Sequence, residues 1–455
     1  MRAFWKHIAA AGLLSACLAL TGCSFKPAAS PEDLYALPQL PPKYTDLNQS
    51  ISELVSGGLE YAAPVSGANT QSVQMVDLNG DGREEALAFL CSSAAEEKPL
   101  KIYIFSPTGD GYEQSALIEG SGTAIYSISY RDLDGDGVME LLVGWKAGTD
   151  LQALTVYTLR GGDPEELARS NYVKYAVTAL DDTRPESEVV VLRADDEGDG
   201  VADFYTWDRD SGPGTLSRTS SARLSMTMAE LNSGRVTSGT LMDGTPALFV
   251  SGVSDVGEEI TDILVTVEGE LTNAALSPVT GATTEIFRFL NLYPTDINGD
   301  GSTEVPEPTA LLSYGTEPVY LVNWRGYDRT GRGKTVTWTY HSNDDGWYLE
   351  LPAGWVEEII VSRTQTAADE MTVTFSRRDG GEEDSEDLLR IYTITGDSRD
   401  IKASRGDRFV LGRKAETIYA AELLDADREW SRGITEDDLR GRFNLITTEW
   451  RANDN

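Results

Sequence analysis

A short acidic turn, set between two apolar strands and returning along most of the chain, limits what this sequence can fold into more than any other feature. Its clearest copy is Asp132-Leu133-Asp134-Gly135-Asp136-Gly137-Val138-Met139-Glu140, between Ile125–Tyr130 and Leu141–Trp145. Two further copies run Asp77-Leu78-Asn79-Gly80-Asp81-Gly82 with Glu85, and Asp296-Ile297-Asn298-Gly299-Asp300-Gly301 with Glu304. Oxygen-bearing side chains stand at positions one, three, five and nine, and glycines at four and six permit the backbone angles that turn those oxygens inward. Position seven, Arg83, Val138 or Ser302, is expected to add its backbone carbonyl. Hard cations such as Ca²⁺ take about six to eight oxygen ligands at about 2.3–2.6 Å. Each copy is therefore read as a Ca²⁺-binding hairpin loop, and about three ions are expected.

Two related readings fall away. An EF-hand closes with Glu at position twelve between helices, whereas position twelve here is Ala88, Val143 or Glu307, the last flanked by Pro306 and Pro308. A plain Asx/Gly turn explains one copy easily, but not the same four ligand positions three times over.

Position nine also sets a ruler. Glu85, Glu140, Glu188, about Pro246 and Glu304 lie 55, 48, 58 and 58 residues apart. An apolar strand follows each mark, and another comes some ten residues on, as in Leu100–Phe105, Leu154–Tyr157, Phe204–Trp207, Ile263–Val267 and Val319–Trp324. Four short strands in about 50 residues is the spacing of a propeller blade. The repeats resemble FG-GAP/VCBS-type blades of integrin-like β-propellers, and this resemblance implies a propeller whose loops bind Ca²⁺. It spans about 285 residues, with three strong loops and two worn ones, Asp181–Pro185 and Asp243–Thr245, where no ion is expected. Asp195, Glu197, Asp199 and Asp203 repeat the ligand spacing out of phase, as a weak metal site or a spare hairpin turn. Five phased units predict about five blades. Six or seven are commoner in that family, and a further worn blade would lie in 44–70 or 343–380.

The N-terminus reads as a bacterial lipoprotein signal over 1–22. Arg2 and Lys6 precede an apolar stretch, Ile8–Leu20, too short for an ordinary membrane span, and Leu20-Thr21-Gly22-Cys23 resembles a lipobox with Cys23 lipidated. Residues 23–44, with Pro27, Pro31, Pro38, Pro41 and Pro42, form an extended tether, and Thr45 or Asp46 caps a short helix stopped by Gly57-Gly58. The chain is then expected to be anchored in a cell envelope, facing away from the cytoplasm. Its 38 basic residues lose Arg2 and Lys6 with the signal, leaving 36 against 74 acidic ones, so the net charge moves from −36 to −38. That charge repels nucleic acid and anionic lipid headgroups.

Catalytic chemistry finds few candidates. Of three cysteines only Cys91 remains free after processing, and it reads as a small apolar filler. With His7 in the signal, His341 is the one histidine left for any triad. Beside Asp344 and Asp345 it offers an acid/base pair, weighed against a hydrogen-bonded surface role. Trp324, Trp338, Trp347 and Trp355 suit either buried packing or sugar stacking, and Arg405-Gly406-Asp407 reads as a polar turn between strands. Beyond the propeller, placed at 45–343, residues 344–455 are expected to form a small α+β domain with a capping box at Thr435 and Asp438.

The expected protein is mainly β, with a binding face for an unidentified protein or glycan. A non-enzymatic module is favoured over an envelope carbohydrate-active enzyme using propeller-face carboxylates, and a structural spacer is the third possibility.

Overall fold

The computed structural model describes residues 44–446, leaving aside 95, 110, 150, 209–213, 278–279, 281–282, 284–285, 312–317 and 379–384. Six antiparallel sheets of four or five strands follow one another along the chain. The second is the simplest: Ala124–Arg131, Glu140–Lys146, Gln152–Thr158 and Glu165–Tyr172 pair in chain order. The first contains Val73–Val76, Glu85–Ser92, Leu100–Pro107 and Tyr112–Gly120, with Leu59–Tyr61 also on Glu85–Ser92. The third and fourth repeat this plan from Lys174 to Thr227 and from Arg235 to Asn273.

Period-two alternation decides how the sheets stack. In the first four sheets the strand after each loop has a continuous apolar centre, such as Leu141–Val143 or Val189–Leu192, because both of its faces are covered. Leu141, Val143 and Trp145 pack on Leu87, Phe89, Ile102 and Ile104 of sheet one, while Leu142 turns to Val189, Val191 and Trp207 of sheet three. The same interleaving joins sheet three to four through Val190, Phe204, Leu248 and Leu264, and four to five through Phe249, Ile263, Val305 and Tyr327. The outer face of sheet one is covered by the helix Thr45–Ser56, which buries Leu47 and Ile51 on Ala86, Ala88 and Phe105. That helix starts where expected, although its N-cap is Tyr44 and no side chain caps it. Such stacked, consecutively paired sheets make the fold propeller-like.

The five-blade count with a trailing α+β domain is corrected here. Ile359–Ala367, Glu370–Arg377, Glu386–Ile394, Thr417–Leu423 and Phe409–Lys414 form a sixth sheet, which begins inside the stretch 343–380. It packs on sheet five through Tyr340, Trp347, Leu349, Val361, Phe375 and Leu389, and the helix Arg399–Ala403 covers its far face at Ile394 and Ile418. The chain then returns, and Phe443–Leu445 pairs with Trp347–Glu350 as the last strand of sheet five. The expected boundary at 343/344 thus falls in a hairpin turn between Gly333–Ser342 and Trp347–Glu350.

Sheet five also departs from the repeat at its other edge. The strand expected before its loop is reduced to the bridge between Thr295 and Glu304, while Ile286–Arg288 pairs with Glu258–Val267 of sheet four. Val305–Leu311 becomes the edge strand. Pro306 and Pro308, two residues apart, remove the N–H donors from one side of it, which a central strand would not tolerate.

The Thr435–Asp438 capping box forms, and Leu439 beneath it is buried. Trp324, Trp347 and Trp355 are fully buried. His341 is half-buried and hydrogen-bonded: its Nε2 is 2.8 Å from Thr339 Oγ1, its ring stacks on Tyr348 at 5.0 Å, and desolvation holds its pKa low, at about 3. Asp345 is turned instead to Ser342 and Arg363. Arg405–Asp407 is an exposed turn, but it leads from the helix Arg399–Ala403 into Phe409–Lys414 and does not join two strands.

Candidate metal centres in a row of acidic loops

The acidic turns close on themselves through the hydrogen bonds that their residue types dictate. At position one, Asp77, Asp132 and Asp296 each accept the N–H of the position-six glycine at 2.9 Å. Asp132 and Asp296 also accept from positions four and five. At position five, Asp81, Asp136 and Asp300 accept the N–H of Arg83, Val138 and Ser302 at 2.8 Å. The chain can turn this tightly because the glycines at four and six all lie at φ between 70° and 91°. Gly80 has a second reason to be glycine, since a Cβ there would stand 2.5 Å from the Gly137 carbonyl of the neighbouring loop.

Position nine has a structural task that ligand spacing alone did not disclose. Glu85, Glu140 and Glu304 are buried, and each accepts the N–H of position two, Leu78, Leu133 or Ile297, at 2.9–3.2 Å. Glu188 does the same for Leu180 at 2.8 Å in a loop whose ligand set is worn away. This glutamate-to-backbone clasp therefore outlives the metal-type residues. Burial raises the pKa of Glu140 and of Glu304 to about 7, and pushes those of Glu85 and Glu188 upward as well. Leu78 and Leu133 at position two, with Leu180 and Leu241 in the worn third and fourth units, are almost wholly buried and anchor the turns to the core.

A second set of bonds strings the loops together. Met139 N–H donates to Leu78 O at 2.7 Å, Ser187 N–H to Leu133 O at 2.8 Å, and Thr303 N–H to Thr240 O at 2.8 Å. Loops of adjacent sheets thus sit side by side along one rim.

The loops differ in how their acids are balanced. Asp132, Asp134 and Asp136 bring one carboxylate oxygen each within 4.8 Å of one another. Arg160, from just beyond Gln152–Thr158, reaches into this triad, 2.5 Å from Asp136 and closer still to Asp134. In the first loop Arg83 folds back on Asp81 at 2.9 Å, and its hydrogen bond holds that carboxyl below the usual range. Among the described residues no ion pair is made by Asp296, Asp300 or Glu304. Glu304 Oε1 and Asp77 Oδ1 are buried with no hydrogen-bond partner. An all-oxygen donor set with buried acceptors left over fits a hard cation.

The worn and out-of-phase turns are satisfied otherwise. Asp181 pairs with Arg184. Asp243 takes bonds from Thr245 and Arg329, which outweigh its partial burial and hold it at about 2. Asp195 accepts the N–H groups of Glu197 and Asp199 in a hairpin turn, while Asp203 lies within the next strand and is held by Arg193, Arg218 and Ser221. The spacing of those four acids does not bring them to one point. Cys23 lies outside the described residues, and no described helix is long and apolar enough to cross a membrane.

Comparison with known proteins agrees with the loops. Residues 77–143, which hold the first two of them, match the FG-GAP-like repeat family. No curated protein matches the chain. Three solved structures are similar to it at low identity. A Lactobacillus plantarum protein is 11% identical with a TM-score of 0.26, covering 75% of this chain and 95% of its own. The periplasmic gluconolactonase of Pseudomonas aeruginosa is also 11% identical with a TM-score of 0.26, covering 72% and 86%. The Dos1 propeller is 8% identical with a TM-score of 0.22, covering 78% and 83%. What this chain carries, then, is an FG-GAP-like repeat set in a mainly β, propeller-like fold of six antiparallel sheets.

Proposed function

We propose that the protein is a Ca²⁺-stabilised binding module, held at a bacterial cell envelope by a lipid on Cys23, with its row of acidic loops bracing a face for a protein or glycan ligand. The observation that carries the metal reading is the convergence of the Asp132, Asp134 and Asp136 carboxylates in one loop, with buried Glu304 Oε1 and Asp77 Oδ1 left without a hydrogen bond in the other two. The residues that would hold the ions are Asp77, Asn79, Asp81 and Glu85; Asp132, Asp134, Asp136 and Glu140; and Asp296, Asn298, Asp300 and Glu304, with the carbonyls of Arg83, Val138 and Ser302. A bound cation supplies charge neutralisation and fixes the loop. The chain's own part is to present preformed oxygens and to link each loop to the next through the Met139 and Thr303 amides.

Ca²⁺ that binds only the folded hairpins must stabilise the fold. At a free concentration ten times the dissociation constant the gain is about 1.4 kcal/mol per site. The melting temperature is therefore expected to fall by several degrees in chelator and to recover with Ca²⁺ but poorly with Mg²⁺, which demands a tighter octahedral shell. Asp300→Ala should remove one ion and part of that shift, and Asp243→Ala should remove none. Calorimetry with no Ca²⁺ uptake at millimolar concentration would sink the assignment.

The anchor has its own test. A Cys23→Ser variant should leave the membrane fraction or accumulate unprocessed, and mature protein still attached to the membrane would defeat it.

A further inference from the structure

The three full loops look alike in sequence but not in what faces their acids. The loop 132–140 alone carries a carboxylate at each of positions one, three, five and nine, yet it already holds a positive group. The Arg160 guanidinium lies against Asp134 and Asp136, and 5.8 Å above it sits the ring of Trp207, from the neighbouring sheet. Asp134 is 8% exposed and Arg160 31%, so the buried carboxylate is paired with a side chain that stays partly open to water. In the loop 77–85 the pairing partner, Arg83, belongs to the loop itself and is 59% exposed, which leaves it easily drawn off by water. The loop 296–304 has Ser302 at that position and makes no ion pair among the described residues. Its Glu304, 0% exposed, keeps one oxygen without a hydrogen bond.

A guanidinium and a divalent cation need the same carboxylate oxygens and repel each other. Both cannot occupy Asp134 and Asp136 together. We propose that Arg160 is a resident counter-cation that competes with Ca²⁺ for the loop 132–140, so that the loops fill in order, 296–304 first and 132–140 last. This rests on the reading that these loops bind Ca²⁺. Without metal, Arg160 offsets part of the triad's charge and keeps that loop folded, with the Trp207 ring beside the guanidinium. As Ca²⁺ rises, Arg160 must swing out, which its partial exposure allows, before the ion can enter. The loop with a carboxylate at every side-chain ligand position is thereby the weakest site and the least dependent on metal.

Calorimetric titration with Ca²⁺, paired with melting in chelator and in saturating Ca²⁺, tests this. A neighbouring unit charge near a protein surface is worth at least about tenfold in affinity. Arg160→Gln is therefore expected to tighten one site about tenfold or more, and Asp132→Ala added to it should abolish that site. In chelator Arg160→Gln should melt below the wild type, and in saturating Ca²⁺ the gap should close or reverse. Arg160→Lys, which keeps a charge, should stay near the wild type in both. Asp296→Ala should delete the tightest site of the wild-type protein. A wild type that binds Ca²⁺ while Arg160→Gln leaves the isotherm unchanged, or lowers the melting temperature equally with and without Ca²⁺, would overturn the role of Arg160. A wild type that binds no Ca²⁺ would overturn the metal reading beneath it.

Discussion

Replacing Trp347 with alanine is expected to destabilise the protein by about 3–5 kcal/mol, the usual range for removing a large aromatic ring from a core. Trp347 is 0% exposed and stands where two sheets meet. Its ring packs on Tyr340 at 5.7 Å and on Phe443 of the returning strand at 5.5 Å. Its indole N–H donates to Thr393 Oγ1, across in sheet six, at 3.2 Å. One substitution thus loosens sheet six, sheet five and the C-terminal strand together. Chemical denaturation followed by near-ultraviolet circular dichroism should show one transition moved to lower denaturant. Trp338→Ala, at a partly buried site on the same cluster, should move it less. A separate early transition for part of the chain, with the main one unmoved, would mean that the C-terminal region folds apart from the other sheets.

The second large effect is expected at Glu259, a carboxyl that no metal loop needs. It lies on Glu258–Val267, 5% exposed, with its Oε1 unpaired. Burial pushes its pKa to about 8, against a smaller downward pull from the Ser251 hydroxyl. The folded chain holds this proton over a range in which the unfolded chain has lost it. The native state therefore binds more protons between pH about 4.5 and 8, and stability falls as pH rises through that window, then levels off. The full difference is on the order of a few kcal/mol. Glu259→Gln keeps the shape and cannot ionise. Its melting temperature should match the wild type near pH 4.5 and exceed it increasingly up to pH 8. Parallel melting curves for the two proteins across that range would refute the assignment. The comparison cancels the shifts at Glu140 and Glu304, which both proteins share.

The acidic loops could be read from the chain because their geometry is local. The turn is closed by hydrogen bonds from residues at most five apart, the glycines at four and six announce its backbone angles, and in the loop 132–140 it brings the carboxylates of positions one, three and five together. The strands were legible for a similar reason, since burial on both faces writes a continuous apolar run such as Leu141–Trp145. Even the worn third loop kept its mark, because Glu188 still clasps the Leu180 amide.

What lay outside the reach of the sequence depends on residues far apart in it. The turns of sheet six do not repeat the D-x-[DN]-G-D-G sequence that marks the phase elsewhere, and its edge strand Phe409–Lys414 is set beside Thr417–Leu423 after a helical detour, so the repeat ruler passed over it. The return of Phe443–Leu445 to Trp347–Glu350 is fixed by burial of Phe443 against Trp347 and Tyr419, a pairing that no spacing predicts. Arg160 is the sharpest case. In the sequence it is a lone arginine after a strand. Only the antiparallel pairing of Gln152–Thr158 with Glu140–Lys146 carries it back to the loop, and only the stacking of sheet three on sheet two brings Trp207 over it. The sequence by itself determined where the acidic turns fall and how they close, because that is a matter of adjacent dihedral angles. The tertiary structure decided which of those sites already holds a positive charge, because charge balance is set by whatever the packed sheets bring within a few ångströms.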